Sequence, residues 1–123
     1  MAFVKTTSTI SSTAVTVSGL TGGTNGKIVR VSGTNTATDA ANTDTATQLT
    51  ALLIKVSGVY YAAGVVPGLS GLTAGSPYFL DGSGGLTASP PTPSSSVRNV
   101  YVGFAINTTD LLFRPQMPIS GSA

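Results

Sequence analysis

Few residues of this chain could carry chemistry, and the first candidate is a serine between two glycines. The segment 68–72 reads Gly-Leu-Ser-Gly-Leu, close to the Gly-x-Ser-x-Gly turn that presents a nucleophilic serine in hydrolases. Leu72 stands where that motif has its last glycine, and the chain has no histidine to accept the proton of Ser70. The segment therefore predicts a glycine-rich turn and no nucleophile.

The second candidate is the segment 23–27, Gly-Thr-Asn-Gly-Lys, which ends like a phosphate-binding loop. That motif also requires a glycine at position 21 and a serine or threonine at position 28. The chain has Thr21 and Ile28 at these positions, so the motif fails at both ends. No phosphate-binding or nucleotide cofactor site is expected.

The carboxylates are the third candidate, and there are four of them: Asp39, Asp44, Asp81 and Asp110. Asp39 and Asp44 flank an asparagine in an oxygen-rich segment, but their spacing does not match a calcium loop, and the chain has no glutamate to act as a bidentate ligand. Asp81 and Asp110 each sit next to a predicted strand end, where a short carboxylate caps a turn by bonding to backbone N–H groups. No metal site is predicted.

Several residue types that enzymes rely on are missing altogether. The chain has no histidine, cysteine, tryptophan or glutamate. Histidine is the usual acid or base near neutral pH, and cysteine supplies nucleophiles, thiolate ligands and disulfides. We therefore predict no catalytic, cofactor-binding or metal-ligating residues, and no enzymatic activity.

Charge is scarce, because only 8% of the residues are charged, against roughly 25% in ordinary soluble domains. The six basic residues are scattered along the chain: Lys5, Lys27, Arg30, Lys55, Arg98 and Arg114. Nucleic acid is not an expected partner, because binding it requires a basic patch that displaces counterions from phosphates. A surface with so little charge instead favours association with other protein surfaces.

No segment of the chain has the character of a membrane span or a secretory signal. No apolar run approaches the ~20 residues that cross a bilayer, and the N-terminus lacks the apolar core of a signal peptide. We therefore expect synthesis in a cytoplasm and no membrane partner.

Strands are predicted throughout, because β-branched residues and glycine are frequent and helix formers are scarce. Apolar residues alternate over 100–106, and a turn at 107–110 leads into 111–114, which predicts a hairpin. A second hairpin is predicted for 52–56 and 59–63. Asn25-Gly26 predicts a tight hairpin turn between strands at 14–17 and 27–31, and another strand is expected at 77–80.

Together these segments predict an all-β fold, a small β-barrel or sandwich of short antiparallel strands forming a single domain over 13–116. Residues 1–12 are expected to form an extended N-terminal arm, and residues 117–123 a flexible C-terminal tail. The Pro- and Ser-rich stretch 87–96 is expected to be a loop, and 37–50 a loop or a single helical turn. Many short strands leave edges that must be closed in a barrel or paired between subunits.

The C-terminal half resembles a small β-module of tailed-bacteriophage virion proteins. The resemblance covers about Leu53 to Gln116. It rests on four segments: Gly-Leu-Ser-Gly-Leu-Thr-Ala-Gly-Ser-Pro-Tyr-Phe-Leu-Asp at 68–81, Gly-Leu-Thr-Ala-Ser-Pro-Pro at 85–91, Val-Arg-Asn-Val-Tyr-Val-Gly-Phe-Ala at 97–105 and Leu-Leu-Phe at 111–113. In the N-terminal half, the segments 25–31 and 52–56 are similar to those of small capsid-decoration proteins.

The resemblance implies a capsid cement or decoration protein on the outer surface of a phage head. Such proteins bind the major capsid protein, and the resemblance implies a homo-oligomer, most simply a trimer. The apolar or long side chains expected just outside the regular strands are candidate inter-subunit contacts: Phe3, Val4, Arg114, Pro115, Met117 and Ile119.

Two alternatives stay open. The same module occurs in tail fibres, so the chain could be a tail adaptor or short tail fibre protein. Fibres usually carry the module within a much longer chain, so a length of 123 residues favours the capsid interpretation. The second alternative is a carbohydrate-binding module for host attachment, in which exposed tyrosines stack on sugars.

Overall fold

The structure, a computed structural model, describes residues 14–121, and this part of the chain is almost entirely β. The prediction of an all-β fold of short antiparallel strands is therefore confirmed. The strands are β1 (Val15–Val17), β2 (Lys27–Gly33), β3 (Thr36–Asp39), β4 (Leu52–Val56), β5 (Val59–Val66), β6 (Pro77–Leu80), β7 (Leu86–Thr87), β8 (Arg98–Asn99), β9 (Tyr101–Ala105), β10 (Leu111–Phe113) and β11 (Ile119–Ser120). The predicted arm at 1–12 lies outside the described residues.

The main sheet is antiparallel and curls into a half-barrel, with strands in the order β3-β2-β4-β5-β10-β9-β6-β7. The long strand β5 joins its two halves, because its first residues pair with β4 and β1 and its last three pair with β10. The inner face of the curl buries the main core. Its most buried members are Ile28, Leu49, Ile54, Val66, Leu80, Val100, Val102, Leu111 and Phe113.

Both predicted hairpins of the centre and C-terminus are present. β4 and β5 are joined by Ser57 and Gly58, with φ of +50° and +81°, the conformation of a two-residue hairpin turn. β9 and β10 pair antiparallel across the turn at 106–110. The stretch predicted as a loop or helical turn contains both β3 and a single 3-10 turn, Gln48–Thr50, so β3 is a strand that the sequence did not indicate.

The predicted hairpin around Asn25-Gly26 is wrong. These two residues do form a turn, closed by a hydrogen bond from the N–H of Lys27 to the carbonyl of Thr24 (3.1 Å). The strands on either side do not pair with each other, however, because β1 pairs with β5 and β2 pairs with β3 and β4. The segment between β1 and the turn instead runs along β3, where Thr21 pairs with Thr36.

A second, smaller cluster lies on the outer face of the sheet, formed by Val29, Ala37, Leu53 and Tyr60. Leu20 packs against it, so the segment after β1 covers this face. The Tyr60 hydroxyl donates to the carbonyl of Gly22 (2.6 Å), and Lys55 Nζ donates to the same carbonyl (3.1 Å). These two bonds hold the covering segment in place.

The alternation of side chains along β9 changes phase in the middle of the strand. Val102 and Gly103 are both buried although they are neighbours, and Ile106, which the period-two pattern groups with Val102, is 47% exposed. The pairing of β9 with β6 shifts register at this point, as in a β-bulge, where one extra residue reverses the faces that follow. The sequence pattern gave no sign of the bulge.

The turn at 81–85 between β6 and β7 closes one end of the half-barrel. The N–H of Ile28 donates to the carbonyl of Gly84 (2.7 Å), and the N–H of Asn42 donates to the carbonyl of Asp81 (3.0 Å). Within the turn, Asp81 Oδ1 accepts hydrogen bonds from the N–H groups of Ser83 (2.8 Å) and Gly85 (2.7 Å). The Asp81 carboxylate therefore fixes the shape of the turn that bridges the two ends of the sheet.

The Asp81 carboxylate should make stability depend on pH in the acid range. Burial raises its pKa. Three hydrogen bonds act in the opposite direction, from the backbone N–H groups of Ser83 and Gly85 and from the Ser83 hydroxyl, as does the charge on Lys27. Together they outweigh the effect of burial, so the pKa lies below its ordinary value of 3.8. Because the pKa is lower in the folded state, the stabilisation is complete above the pKa of the unfolded chain and is lost as pH falls through the folded pKa.

We therefore expect Asp81→Asn to lower the free energy of unfolding by about 1 kcal/mol at neutral pH. The difference from the wild type should shrink as pH falls below the ordinary carboxyl pKa, and it should be smallest below the lower pKa of the folded state, where Asp81 is protonated in the folded and unfolded chains alike. Urea unfolding of the two proteins at neutral pH and at about pH 2 measures this. A difference that stays the same at both pH values would contradict a role for the charge.

Candidate interaction surface

The C-terminal segment after β10 runs antiparallel to the first residues of β9 and to the chain before them. The N–H of Arg114 donates to the carbonyl of Val102 (2.7 Å), and the N–H of Gln116 donates to the carbonyl of Tyr101 (3.0 Å). Further along, β11 pairs with β8. Residues 119–120 thus form a short strand, although the sequence predicts a flexible tail at 117–123. The β9–β10 hairpin therefore continues as a two-stranded ribbon that ends at the pairing of β8 with β11.

The Pro- and Ser-rich stretch between β7 and β8, residues 88–97, is a loop, and hydrogen bonds attach it to this ribbon. The N–H of Gly121 donates to the carbonyl of Ser94 (3.1 Å), and Asn99 Nδ2 donates to the carbonyl of Pro91 (3.1 Å). The Ser94 hydroxyl in turn accepts from the N–H of Val97 (3.1 Å). The loop therefore backs the end of the ribbon that carries the C-terminal residues.

Two large apolar side chains of this ribbon face outward. Met117 is 71% exposed and Ile119 is 59% exposed, the two highest values among the large hydrophobic residues between 14 and 121. Arg114 is also exposed, whereas Pro115 is half-buried. We call Arg114, Met117 and Ile119 the C-terminal strip. Phe3 and Val4, the other predicted contact residues, lie outside the described residues.

Exposed charged side chains are rare on the described part of the chain. Among the charged side chains between residues 14 and 121, only Arg114 is exposed. The other eight are half-buried: Lys27, Arg30, Asp39, Asp44, Lys55, Asp81, Arg98 and Asp110. Most of the charged side chains in this part of the chain therefore present only part of their surface to solvent, which leaves little fully exposed charge to keep molecules apart.

Several of these charges have local structural partners. Arg30 Nε donates to Asp44 Oδ2 (3.1 Å), which also accepts from the N–H of Ala41 (2.9 Å). Asp39 accepts from the N–H and the hydroxyl of Thr24 (2.8 Å each). Asp39 therefore holds the turn at Thr24, and Asp44 holds the loop after β3. The described residues contain no group of three or more side chains that could bind a metal ion.

A second exposed apolar region lies on β1, where all three residues are exposed. Val15 is 55% exposed and Val17 is 39% exposed. β1 pairs with β5 along one side, and no strand of the described chain pairs with its other side. A short strand with one unpaired side is an edge of the kind that subunits use for pairing.

The tyrosines do not form an exposed stacking surface. Tyr60 and Tyr78 are buried, while Tyr61 and Tyr101 are half-buried. The ring of Tyr101 packs edge-on against Phe79 with the ring centroids 5.7 Å apart. Stacking of sugars on exposed tyrosines, the basis of the carbohydrate-binding alternative, therefore lacks the required exposed rings in residues 14–121.

Sequence reasoning missed the role of Asn42, the one polar side chain that is buried in the described chain. Its Nδ2 donates to the carbonyl of Leu80 (3.3 Å), and its backbone carbonyl accepts from the N–H of Arg98 (2.8 Å). Asn42 therefore connects the loop after β3 to β6 and to β8. An asparagine in a polar loop gives no sequence signal for this role, because its partners are distant backbone groups.

No protein-family model matches the chain, and no significant match to a curated protein or to a solved structure was found. No helix between residues 14 and 121 has the length and apolar character needed to cross a membrane. The function is therefore inferred from the residues of the chain itself.

Proposed function

We propose that this chain is a bacteriophage capsid decoration protein, which binds the outer surface of an assembled head as a homo-oligomer and stabilises it. The observation that carries the proposal is a surface on which Met117 and Ile119 are exposed while Arg114 is the one exposed charged side chain of residues 14–121, the other eight being half-buried. The resemblance of residues 53–116 to a virion β-module supplies the setting.

The arrangement of the strip suits docking against a rigid surface. Met117 and Ile119 are attached to a ribbon that hydrogen bonds hold at both ends, through Arg114 at one end and through β11 at the other. Side chains on such a backbone lose less conformational freedom on binding than side chains on a loose tail. Burial of apolar groups would then provide the main attraction, at ~25 cal/mol for each Å² removed from water.

The stabilisation would follow from mass action. A subunit that binds the assembled shell, and not the separate capsid proteins, shifts the equilibrium towards the shell. At a free concentration one hundred times Kd, each occupied site stabilises the shell by about 2.7 kcal/mol. No catalytic group is needed for this role, and the major capsid protein is the proposed partner.

Binding to heads tests the proposal directly. The purified protein is mixed with empty expanded heads and, separately, with isolated tails of the phage that encodes it, and both are imaged by electron microscopy. We expect regular density on the head surface. Density on tails alone would overturn the proposal in favour of the tail adaptor or fibre alternative, and binding to neither particle would overturn both.

A double variant, Met117→Glu with Ile119→Glu, tests the part played by the C-terminal strip. We expect it to weaken binding to heads at least about tenfold, because two charges would have to be desolvated in an apolar contact. Co-sedimentation with heads measures the change. Ile106→Glu is the matched control, since Ile106 is 47% exposed in the turn at the other end of the ribbon. Equal binding by the double variant and the control would exclude the strip as the contact.

A further inference from the structure

The described chain contains a cleft of about 300 Å³ where the loop after β5 approaches the start of β2. Its lining residues are Gly26, Gly68, Leu69, Ser70, Gly71, Leu72, Tyr78 and Leu86. The volume is at the lower end of the range for small-molecule sites, roughly 300–1,000 Å³. It suits one or two small rings and is too small for a large cofactor.

The lining of this cleft carries no charge, because it consists of glycines, leucines, one serine and one tyrosine. A phosphate, nucleotide or carboxylate ligand is usually held by arginine, lysine or a metal ion, and none of these lines the cleft. The cleft is therefore matched to a ligand without net charge.

The cleft also offers hydrogen-bond donors. The hydroxyl oxygen of Tyr78 accepts from the N–H of Thr73 (2.9 Å), which leaves its own proton free to donate, and no acceptor for it is found among residues 14–121. The N–H groups of Leu69 and Leu72 are bonded to carbonyls of the turn before β10, whereas those of Ser70 and Gly71 have no partner in the same part of the chain. Uncharged donors of this kind are complementary to hydroxyl, carbonyl and acetamido oxygens.

An extended peptide fits the cleft less well. Peptides that add to a sheet use the edge of a strand along several residues. Six of the eight lining residues lie outside every strand, and only Tyr78 and Leu86 belong to strands. The donors are therefore set on a turn, which suits a compact ligand.

We propose that this cleft binds a neutral, hydroxyl-rich ligand, namely one or two sugar units of a glycan. Hydrogen bonds from Ser70, Gly71 and Tyr78 would meet the sugar oxygens, and Leu69 and Leu86 would contact its apolar face. This proposal rests on the cleft alone and does not depend on binding to a phage head, so either can fail without the other.

Nuclear magnetic resonance titration of the ¹⁵N-labelled full chain tests it, with glucose, N-acetylglucosamine and maltose as probes. We expect at least one of them to shift the amide signals of residues 68–72, with a Kd on the order of 1 mM, as is typical of so small a ligand. No shift with any probe would overturn the proposal. Equal or larger shifts of the same signals with sodium acetate or phosphate would overturn the neutral character of the ligand.

Two substitutions at glycines separate the cleft from the rest of the surface. Gly71 and Gly75 both have positive φ, +73° and +83°, and for both the position of a Cβ is open, but only Gly71 lines the cleft. Asparagine tolerates this conformation better than other side chains, so Gly71→Asn places a side chain on the cleft lining with little strain. We expect Gly71→Asn to raise Kd about tenfold or more and Gly75→Asn to change it less than about twofold.

Tyr78→Phe provides an independent readout, because it removes one donor and leaves the cleft open. We expect it to raise Kd about fivefold. If Gly71→Asn and Tyr78→Phe both leave Kd unchanged, the sugar binds elsewhere and the proposal is wrong. Amide shifts at 68–72 that appear on concentrating the protein without sugar would identify a second copy of the chain as the occupant and would also overturn it.

Discussion

Gly103→Ala is expected to lower the free energy of unfolding by about 4 kcal/mol or more, enough to unfold much of the protein at ambient temperature. Gly103 is buried in β9 with φ of +147°, a conformation that side chains rarely adopt. A Cβ at this position would overlap the carbonyl oxygen of Leu112 in β10, which is backbone and cannot move without breaking the pairing of the two strands. Urea unfolding followed by circular dichroism measures the loss.

Gly75→Ala is the control, because it places a side chain at a positive φ without bringing the Cβ into contact with other atoms. Gly75 has φ of +83°, but no atom lies within 4 Å of the position its Cβ would take. Its substitution should therefore cost only the conformational strain, about 1–2 kcal/mol. If the two variants are equally stable, the close approach of β9 and β10 is not the reason that glycine is needed at position 103.

Phe113→Ala is expected to cost about 3–5 kcal/mol, the second largest effect. Phe113 is fully buried, and it belongs to β10, which lies between β5 and β9 in the middle of the sheet. Removing its ring would leave a cavity where β10 meets the rest of the core, and the paired strands on both sides restrict collapse into it. Differential scanning calorimetry should show a large decrease in Tm.

The same substitution on the neighbouring strand provides the comparison. Phe104 pairs with Leu112 and is only half-buried, so Phe104→Ala removes less contact with the core. We expect it to cost about half as much as Phe113→Ala. A larger loss from Phe104→Ala would contradict the assignment of Phe113 to the centre of the core.

The parts of the fold that the sequence predicted are those determined by neighbouring residues. Ser57-Gly58 between two apolar runs predicts the β4–β5 hairpin, and the turn at 107–110 predicts the β9–β10 hairpin; both are present. Pairings between distant segments were not predictable in this way. β1 pairs with the first half of β5, where one side of that strand is free for pairing. The residues near Asn25-Gly26 carry no information about this distant strand.

The period-two pattern also failed to predict which residues of β9 are buried. The bulge at Val102 and Gly103 reverses the faces of the residues that follow, and it arises from the register with β6, a strand more than twenty positions earlier. Ile106 is therefore exposed although the alternation groups it with Val102. A bulge leaves no mark in an alternating sequence unless the partner strand is known.

For the candidate sites too, the sequence predicts local features but not the contacts between distant segments. The segment 68–72 is recognisable as a glycine turn without catalytic partners, but its cleft exists only because the sheet brings Gly26, Tyr78 and Leu86 beside it. Met117 and Ile119 stand out as apolar residues near the end of the chain. Their exposure depends on the pairing of β11 with β8, which the sequence did not indicate.

The small number of exposed charges has a consequence for the rate at which the proposed partner would be met. Long-range electrostatic steering raises association rates by 10–10³ and falls steeply with ionic strength, but it needs charges that face the solvent. Because Arg114 is the one exposed charged side chain of residues 14–121 and the other eight are half-buried, we expect association rates to depend only weakly on salt concentration. A partner would then be distinguished mainly by the fit of apolar surfaces after contact.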